Sequence, residues 1–269
     1  MAEQRLDAAL AARGLARSRT HAATLISEGL VTVDGRAVVK PSAKVAESAL
    51  LEVAASDHYV SRAAHKLIAA LDGFGVDPSG RVVLDAGAST GGFSQVLLER
   101  GAATVLSVDV GHGQLACELR GAERLVLVEG CNVRNLDRAS LAGATGVAEP
   151  PSLVTADLSF ISLTTVLPAL RATATDDADF VLLVKPQFEV GRGGVREGVV
   201  RDAALRSEAV ANVLWAAYDL GLGTVGVLSS PIAGGHGNHE YLVHLSATGG
   251  GNPTEWMRRV EQLTGGAIA

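Results

Sequence analysis

The stretch from Arg81 to Phe93 constrains the fold of this chain more than any other. It begins as a short apolar run, breaks into small residues at Gly87 and continues into a run with helical spacing. A strand that ends in a glycine turn and leads into a helix brings backbone close to a ligand at the carboxyl edge of a sheet. The next apolar run carries Asp109, 24 residues after Asp85, where nucleotide-binding α/β units place the carboxylate that binds ribose hydroxyls.

The glycine spacing narrows the choice of nucleotide. Gly87-x-x-x-Gly91-Gly92 lacks the G-x-G-x-x-G spacing of dinucleotide sites, and no G-x-x-x-x-G-K-[ST] phosphate loop follows. The pattern acid-x-Gly-x-x-x-Gly-Gly-Phe resembles motif I of S-adenosylmethionine-dependent methyltransferases. The alternative is an ordinary strand-turn-helix whose glycines serve packing alone. The resemblance implies S-adenosyl-L-methionine as the cofactor, bound by Asp85, Gly87, Ala88, Ser89, Thr90, Gly91, Gly92, Phe93 and Asp109.

Composition excludes several classes of protein. Of the 269 residues 48% are hydrophobic, which is enough for a full core in one large domain and a small one. The two cysteines, Cys117 and Cys131, form no C-x-x-C pair and have no clustered histidines nearby, so we expect neither a metal site nor a disulfide. The N-terminus lacks the apolar core of a signal peptide, and no apolar run approaches the length of a membrane span. We therefore expect a cytoplasmic protein with no membrane partner.

Positive charge is concentrated at the N-terminus, although the net charge of the whole chain is −6. The first 44 residues hold seven basic side chains against four acidic ones. The spacing there predicts two short helices, with Ser18 capping the second, followed by a hairpin whose turn is Asp34-Gly35. The order R-L-D-x-x-L, S-R-x-x-A-x-x-L-I-x-x-G-x-V-x-V-D-G and K-P resembles the αL RNA-binding motif of ribosomal proteins, pseudouridine synthases and tyrosyl-tRNA synthetases. The alternative is a small solvated cap whose arginines have no function.

Beyond this module, strand-like and helix-like runs alternate, which predicts a doubly wound α/β fold with a mostly parallel sheet. The last two strand-like runs, 224–229 and 240–245, are expected to form an antiparallel edge pair. Together these features predict a Rossmann-like S-adenosylmethionine-dependent methyltransferase preceded by a small α+β αL RNA-binding domain. The predicted boundaries are 1–50 for the RNA-binding domain, 51–60 for a linker, 61–248 for the methyltransferase domain and 249–269 for a tail with a short helix.

Four ionisable residues stand at the ends of predicted elements on the same side of this sheet. Asp157 and Lys185 each end an apolar strand, Glu240 begins the last strand, and Lys66 lies on the helix before the sheet. A lysine directly after four apolar strand residues is costly to bury unless it is paired. Taken singly, Lys185 could end a strand in solvent, Asp157 could cap the next helix, and Lys66 or Glu240 could be surface charges.

Taken together, with the phrases A-D-L-S-F-I-S, V-K-P-Q-F-E and G-N-H-E-Y-L, these residues resemble the Lys-Asp-Lys-Glu tetrad of RrmJ/FtsJ-type ribose 2′-O-methyltransferases. With the αL module in front, the chain resembles the TlyA family of ribosomal-RNA 2′-O-methyltransferases, many of which are labelled haemolysins. The resemblance implies that Lys185 contacts the 2′-oxygen, that Asp157 orients Lys185, and that Lys66 and Glu240 form an outer pair. No metal is needed for this chemistry.

The same resemblance implies ribosomal RNA in ribosomal subunits as the partner. A glycine-rich loop with two arginines follows Lys185 and could hold RNA beside the site, although it could equally be a mere connection. Guanidinium groups suit bidentate contacts with phosphate. The residues predicted to bind RNA are Arg5, Arg13, Arg17, Arg19, Lys40, Arg62, Arg192 and Arg196.

Two other functions compete with methyl transfer. A non-catalytic ribosome assembly factor would keep the sheet and lose motif I or the tetrad, both of which are intact here. A membrane-lytic protein, suggested by the haemolysin label, would need a spanning segment or a strongly basic amphipathic helix, and the sequence has neither.

Overall fold

A computed structural model describes residues 3–16, 18–27, 29–53, 58–191, 195, 198–234 and 237–265. The chain divides into two compact units, Met1–Tyr59 and Val60–Ala269.

The small unit combines two helices with short antiparallel strands. β1 pairs with β4, and β2 pairs with both β3 and β5. Leu6, Leu10, Ile26 and Val31 are fully buried at its centre. Its elements are β1 (Glu3–Arg5), α1 (Leu6–Ala12), α2 (Arg19–Ser27), β2 (Val31–Val33), β3 (Arg36–Ala37), β4 (Lys44–Ala46) and β5 (Leu51–Val53).

The helix cap and the hairpin turn predicted in the small unit are both present in the structure. Ser18 Oγ accepts the backbone N–H of His21 at 3.1 Å, which caps the start of α2. Asp34 and Gly35 both adopt positive φ, 50° and 76°, in the two-residue turn that joins β2 to β3. A turn with two positive φ angles matches the twist of the paired strands, which explains the Asp-Gly sequence.

The larger unit is built on a seven-stranded sheet in the order β11-β12-β10-β9-β6-β7-β8. β12 runs antiparallel to both β10 and β11, and the pairs formed by the other strands are parallel. The fold predicted from the sequence, including its antiparallel edge pair, is confirmed. The strands are β6 (Val82–Ala86), β7 (Thr104–Val108), β8 (Leu125–Val128), β9 (Leu153–Ala156), β10 (Asp179–Val184), β11 (Gly223–Ser229) and β12 (Tyr241–Ser246).

Helices accompany these strands. The core lies between sheet and helices: each residue of β6 is buried, and Phe180 of β10 is fully enclosed. The helices are α3 (Ala63–Phe74), α4 (Gly92–Glu99), α5 (Arg138–Thr145), α6 (Leu163–Thr173), α7 (Pro186–Glu189), α8 (Ala203–Tyr218) and α9 (Met257–Thr264).

The strand order reverses between β6 and β9, because the chain runs outward from β6 to β8 and then returns to β9. Ligands of doubly wound sheets bind at such a switch point, outside the carboxyl ends of the strands. The register keeps these ends level: Ala86 of β6 pairs with both Val108 and Ala156. The residues that follow the three strands therefore meet at one edge.

The antiparallel strand brings its own beginning to the same edge. Val184, the last residue of β10, pairs with Tyr241, the first residue of β12. One step further along the same register places Lys185 opposite Glu240. Cross-strand neighbours in an antiparallel pair present their side chains on the same face.

The tail beyond β12 returns to the outer strand. Thr224 of β11 and Gly251 exchange both backbone hydrogen bonds, at 3.0 and 2.8 Å. Further on, Arg206 of α8 donates from Nη2 to the carbonyl of Thr264 at 2.7 Å. The tail, for which the sequence suggested no purpose, thus covers part of a sheet edge that would otherwise leave backbone groups unpaired.

Candidate functional site

A cavity of about 540 Å³ opens at the switch point of the larger unit. A second, smaller cavity of about 150 Å³ shares four lining residues with it, Gly87, Ser89, Asp157 and Ser159, and reaches Lys185. The two cavities therefore adjoin, and the smaller one leads from the glycine turn to the predicted catalytic lysine.

Two positions of the glycine turn, Gly87 and Gly91, leave no room for a side chain. Gly87 and Gly91 adopt φ of 84° and 96°, in the left-handed region that glycine populates without strain. A Cβ at Gly87 would lie 3.0 Å from the carbonyl oxygen of Asp157, and one at Gly91 would lie 2.8 Å from Leu115. Ser89 also adopts a positive φ, 49°. Gly87 lines both cavities, so its backbone is open to a ligand. Gly91 is buried and lines neither cavity, so the structure explains this glycine by the turn and by packing and not by the predicted contact with the cofactor.

The other residues predicted to bind the cofactor lie along this turn. Ala88 and Phe93 are buried but line the smaller cavity, together with exposed Thr90 and with Gly92, the first residue of α4. A Cβ at Gly92 would meet Ser61 Oγ, so the turn also packs against the segment before α3.

Asp109 lines the larger cavity and is half-buried. Its Oδ2 accepts the N–H of Ser89 and its Oδ1 accepts the N–H of Gly111, both at 2.7 Å. Because a carboxylate offers about four acceptor positions, Asp109 can still accept two hydroxyl groups. It can hold a ribose diol and fix the glycine turn at the same time.

Asp85 does not fit its predicted role as a direct contact to the cofactor. Its side chain is fully buried and lines neither cavity. Ser94 donates to its Oδ2 at 2.6 Å and Thr155 donates to its Oδ1 at 3.2 Å. We therefore revise its role: Asp85 joins β6, β9 and α4 beneath the turn, and supports the site from within.

The predicted tetrad forms two ion pairs. Lys66 Nζ lies 2.7 Å from Glu240 Oε2, and both side chains are at least nine-tenths buried. Lys185 Nζ lies 2.6 Å from Asp157 Oδ1, and both side chains are largely buried. Each lysine therefore has one carboxylate partner, as a largely buried ammonium group requires.

Two residues that sequence reasoning did not assign, Ser159 and Phe160, line the larger cavity. Ser159 Oγ accepts a hydrogen bond from Lys185 Nζ at 3.0 Å. Phe160 is 91% exposed, adopts a positive φ of 65°, and its ring centroid lies 5.3 Å from that of Phe188. The only signal in the sequence was their position, two and three residues after Asp157. An exposed aromatic ring at a cavity mouth can stack on a planar group.

The small unit gives different environments to the residues predicted to bind RNA. Arg13 donates to the carbonyls of Ala49 and Glu47, both at 2.6 Å, so it secures the fold. Arg5 forms a two-pronged contact with buried Asp7 at 3.0 and 2.8 Å. Arg19 reaches the same acid at 3.4 Å, with 62% of its side chain exposed.

Asp7 remains charged among these arginines. The hydrogen bond from Arg5 lowers the pKa of Asp7 to about 2. The cluster of two arginines and one acid therefore keeps a positive charge at neutral pH. Lys40 is exposed and Arg62, before α3, is half-buried. The predicted contacts at Arg17, Arg192 and Arg196 lie outside the described residues.

Comparison with known families decides the class of the larger unit. The FtsJ-like methyltransferase model matches residues 59–247, and the S4 domain model matches residues 4–51.

The chain belongs to the FtsJ-like methyltransferase family.

Relatives match nearly the whole length of this FtsJ-like protein. It is 51% identical over 244 residues to the 16S/23S rRNA (cytidine-2′-O)-methyltransferase TlyA of Mycobacterium tuberculosis, covering 90% of this chain and 89% of that protein. It is 38% identical to Hemolysin A of Brachyspira hyodysenteriae, covering 90% of this chain and 99% of that one. A solved structure of a suspected hemolysin from Streptococcus thermophilus is 35% identical, with a TM-score of 0.75 over 98% of this chain and 95% of that one. The resemblance of this chain to the TlyA family, which the sequence predicted, is confirmed.

Burial of Asp85 makes the stability of the FtsJ-like unit depend on pH. Desolvation raises the pKa of Asp85 from 3.8 to about 6, against the opposing hydrogen bonds from Ser94 and Thr155. The folded carboxyl therefore holds its proton more tightly than the unfolded one. The contribution of Asp85 to the free energy of unfolding should fall as pH rises from about 4 to about 6, by about 3 kcal/mol at most, and stay level above that.

Asp85→Asn tests this expectation because an amide does not titrate. The stability of the variant relative to the parent should rise across the same pH window and then stay constant. Urea unfolding at pH 4 to 8 measures the difference, with Asp177→Asn, an exposed acid, as the control. A difference between Asp85→Asn and the parent that does not change with pH would contradict the assignment.

Proposed function

We propose that this protein transfers a methyl group from S-adenosylmethionine to a ribose 2′-hydroxyl of ribosomal RNA. The observation that carries the proposal is the Lys185–Asp157 pair at the end of a cavity that adjoins a nucleoside-sized one. The function in the name of the Mycobacterium tuberculosis relative supports the same reaction.

The cavity residues fit S-adenosylmethionine. The larger cavity offers Asp109 for two ribose hydroxyls and the apolar side chains of Val110, Val133 and Leu158 for a base. The smaller cavity offers the open backbone of the glycine turn. The ligand supplies a methyl group that its sulfonium already activates, so the protein has to orient the acceptor and remove one proton.

Lys185 has the position to act on the acceptor oxygen. Its ammonium lies between Asp157 Oδ1 and Ser159 Oγ, which fixes the direction of the side chain. Before transfer the ammonium must release one proton to solvent. The neutral amine then accepts the proton that the 2′-hydroxyl loses when the oxygen–methyl bond forms. Asp157 then stabilises the resulting ammonium. Lys66 and Glu240 balance each other's charge beside this pair, so that no uncompensated charge disturbs it.

Exposed Phe160 gives the cavity mouth a surface for the target nucleotide. Its ring contacts that of Phe188, which follows Lys185 by three residues. Base–aromatic stacking tolerates any base, so this pair can hold a nucleotide turned out of a helix without reading its identity.

The hemolysin names of some relatives suggest a different activity. In the described part of the chain, no helix combines the length and the apolar character needed to cross a membrane. A non-catalytic assembly factor has no need for two enclosed lysine–carboxylate pairs beside a nucleoside-sized cavity. Methyl transfer accounts for both features.

Cofactor binding is tested by Asp109→Ala. Loss of the carboxylate removes two acceptors for ribose and frees the N–H groups of Ser89 and Gly111, so affinity for S-adenosylmethionine should fall about 10- to 100-fold. Titration calorimetry measures this, and NAD should not bind to the parent protein. Asp176→Ala, at an acid that is 89% exposed, is the control. Unchanged affinity in Asp109→Ala would remove this residue from the site.

Catalysis is tested by Lys185→Ala and Lys185→Arg. Both should lower kcat for methylation of ribosomal subunits by about 100-fold or more, since neither side chain can accept the proton. Affinities for cofactor and subunits should change little, and Lys185→Arg should keep the pair with Asp157. Ser159→Ala should cause a smaller loss. Mass spectrometry of nuclease digests places the methyl group. Near-parental turnover by Lys185→Arg, or a methylated base, would overturn the mechanism.

RNA binding is tested by comparing two arginines of the small unit. Arg19→Ala should weaken binding to ribosomal subunits without loss of stability. The slope of the logarithm of the binding constant against the logarithm of salt concentration should become shallower by about one, because one fewer counterion is released. Arg13→Ala should instead lower the free energy of unfolding by about 1 to 3 kcal/mol, because it leaves carbonyls without a donor. Filter binding at several salt concentrations and thermal unfolding separate the effects. Parental affinity of Arg19→Ala at each salt concentration would refute its role.

A further inference from the structure

Glu240 is held in an unusually confined position. Only 2% of its side chain is exposed, and its Oε2 lies 2.7 Å from Lys66 Nζ. Its backbone carbonyl accepts the N–H of Ser230 at 2.9 Å, so the main chain at this residue is also fixed.

Oε1 faces Gly234, and only the absence of a side chain there leaves space for it. A Cβ at Gly234 would meet Oε1 itself and would lie 2.6 Å from Cδ and 3.2 Å from Cγ of Glu240. The φ of Gly234 lies outside the left-handed region, so its backbone does not require glycine. The requirement for glycine is therefore one of space for the carboxylate.

The backbone around Gly234 cannot easily move away. The N–H of Gly234 donates to the carbonyl of Asn238 at 2.8 Å, and the N–H of Gly237 donates to the carbonyl of Gly234 at 3.1 Å. Asn238 in turn is 2% exposed, donates from Nδ2 to the carbonyl of Gly198 at 2.7 Å and accepts the N–H of Val200 at 3.2 Å.

These contacts fix which atoms must yield to an added methyl group. The backbone at Gly234 is held by Asn238, and Asn238 is held by a separate segment. The carboxylate of Glu240 is attached through rotatable bonds, so it is the group that would shift, away from Lys66.

We propose that Gly234 is a positioning residue for methyl transfer: it provides the space that sets the carboxylate of Glu240 against Lys66. This rests on the proposed function, in which the Lys66–Glu240 pair stands beside Lys185. Gly234 itself touches no substrate. The three atoms nearest to an added Cβ all belong to Glu240, so a test at Glu240 separates this effect from a general effect on folding.

Gly234→Ala is the direct test. A displaced carboxylate should lower kcat by about 10- to 100-fold, the size of effect that small misplacements in active sites produce. The KM for ribosomal subunits and the affinity for S-adenosylmethionine should stay within about twofold of the parent, since neither cavity is lined by Gly234. Gly143→Ala, in α5 with no atom within 4 Å of the added Cβ, is the matched control and should retain parental kcat.

Glu240→Ala supplies the test of mechanism. If Gly234 acts through the carboxylate, then Gly234→Ala should have no further effect on kcat once Glu240 is alanine. Residues in contact show such non-additivity, whereas independent sites combine their effects. Should Gly234→Ala fail to fold, the double variant should fold as well as Glu240→Ala, because the clash is gone.

Three results would overturn the inference: parental kcat in Gly234→Ala, a double variant slower than Glu240→Ala by the full factor of Gly234→Ala, or a double variant that does not fold. Lys185→Ala measured in the same assay separates this failure from failure of the proposed function. An inactive Lys185→Ala beside a fully active Gly234→Ala would refute the role of Gly234 only. An active Lys185→Ala would refute the proposed reaction.

Discussion

Two lysine–carboxylate pairs withdrawn from water set the main physical constraint on the larger unit. Removing two charges from water costs several kcal/mol per ion, and the attraction between them regains this only when their geometry is well fixed. Such pairs contribute little to stability. Lys66–Glu240 and Lys185–Asp157 therefore need a scaffold that holds all four side chains in place, and the buried sheet supplies it together with α3.

The register of the sheet is what brings these groups to one edge. The carboxyl ends of the parallel strands are level, which places the glycine turn, Asp109 and Asp157 side by side. The antiparallel strand β12 begins at this edge of the sheet, where the parallel strands end. A parallel strand in the place of β12 would carry Glu240 to the opposite edge. The antiparallel strand is thus a functional requirement of this site.

Much of this arrangement follows from local sequence, and some does not. The strand-turn-helix at Gly87, the Asp34-Gly35 hairpin and a lysine at the end of β10 each have a strong local signal, and the structure contains all three. The direction of a side chain has no local signal in the sequence. An acid near the end of a strand has the same sequence pattern whether it faces a cavity, as Asp109 does, or the interior, as Asp85 does. Likewise, Arg13 resembles a phosphate ligand in sequence but binds carbonyls in the fold. Helix α5 has little periodicity to detect in the sequence because, of its residues, only Leu141 is buried.

The Lys66–Glu240 pair joins residues 174 positions apart, nearly the full span of the larger unit. Contacts between such distant residues form late, because the entropy of closing a long loop must be overcome first. During synthesis the small unit emerges and can fold well before Glu240 leaves the ribosome. A nascent chain would therefore fold its small S4 unit before the catalytic edge is complete. The enzyme can become active only once the last strand has formed.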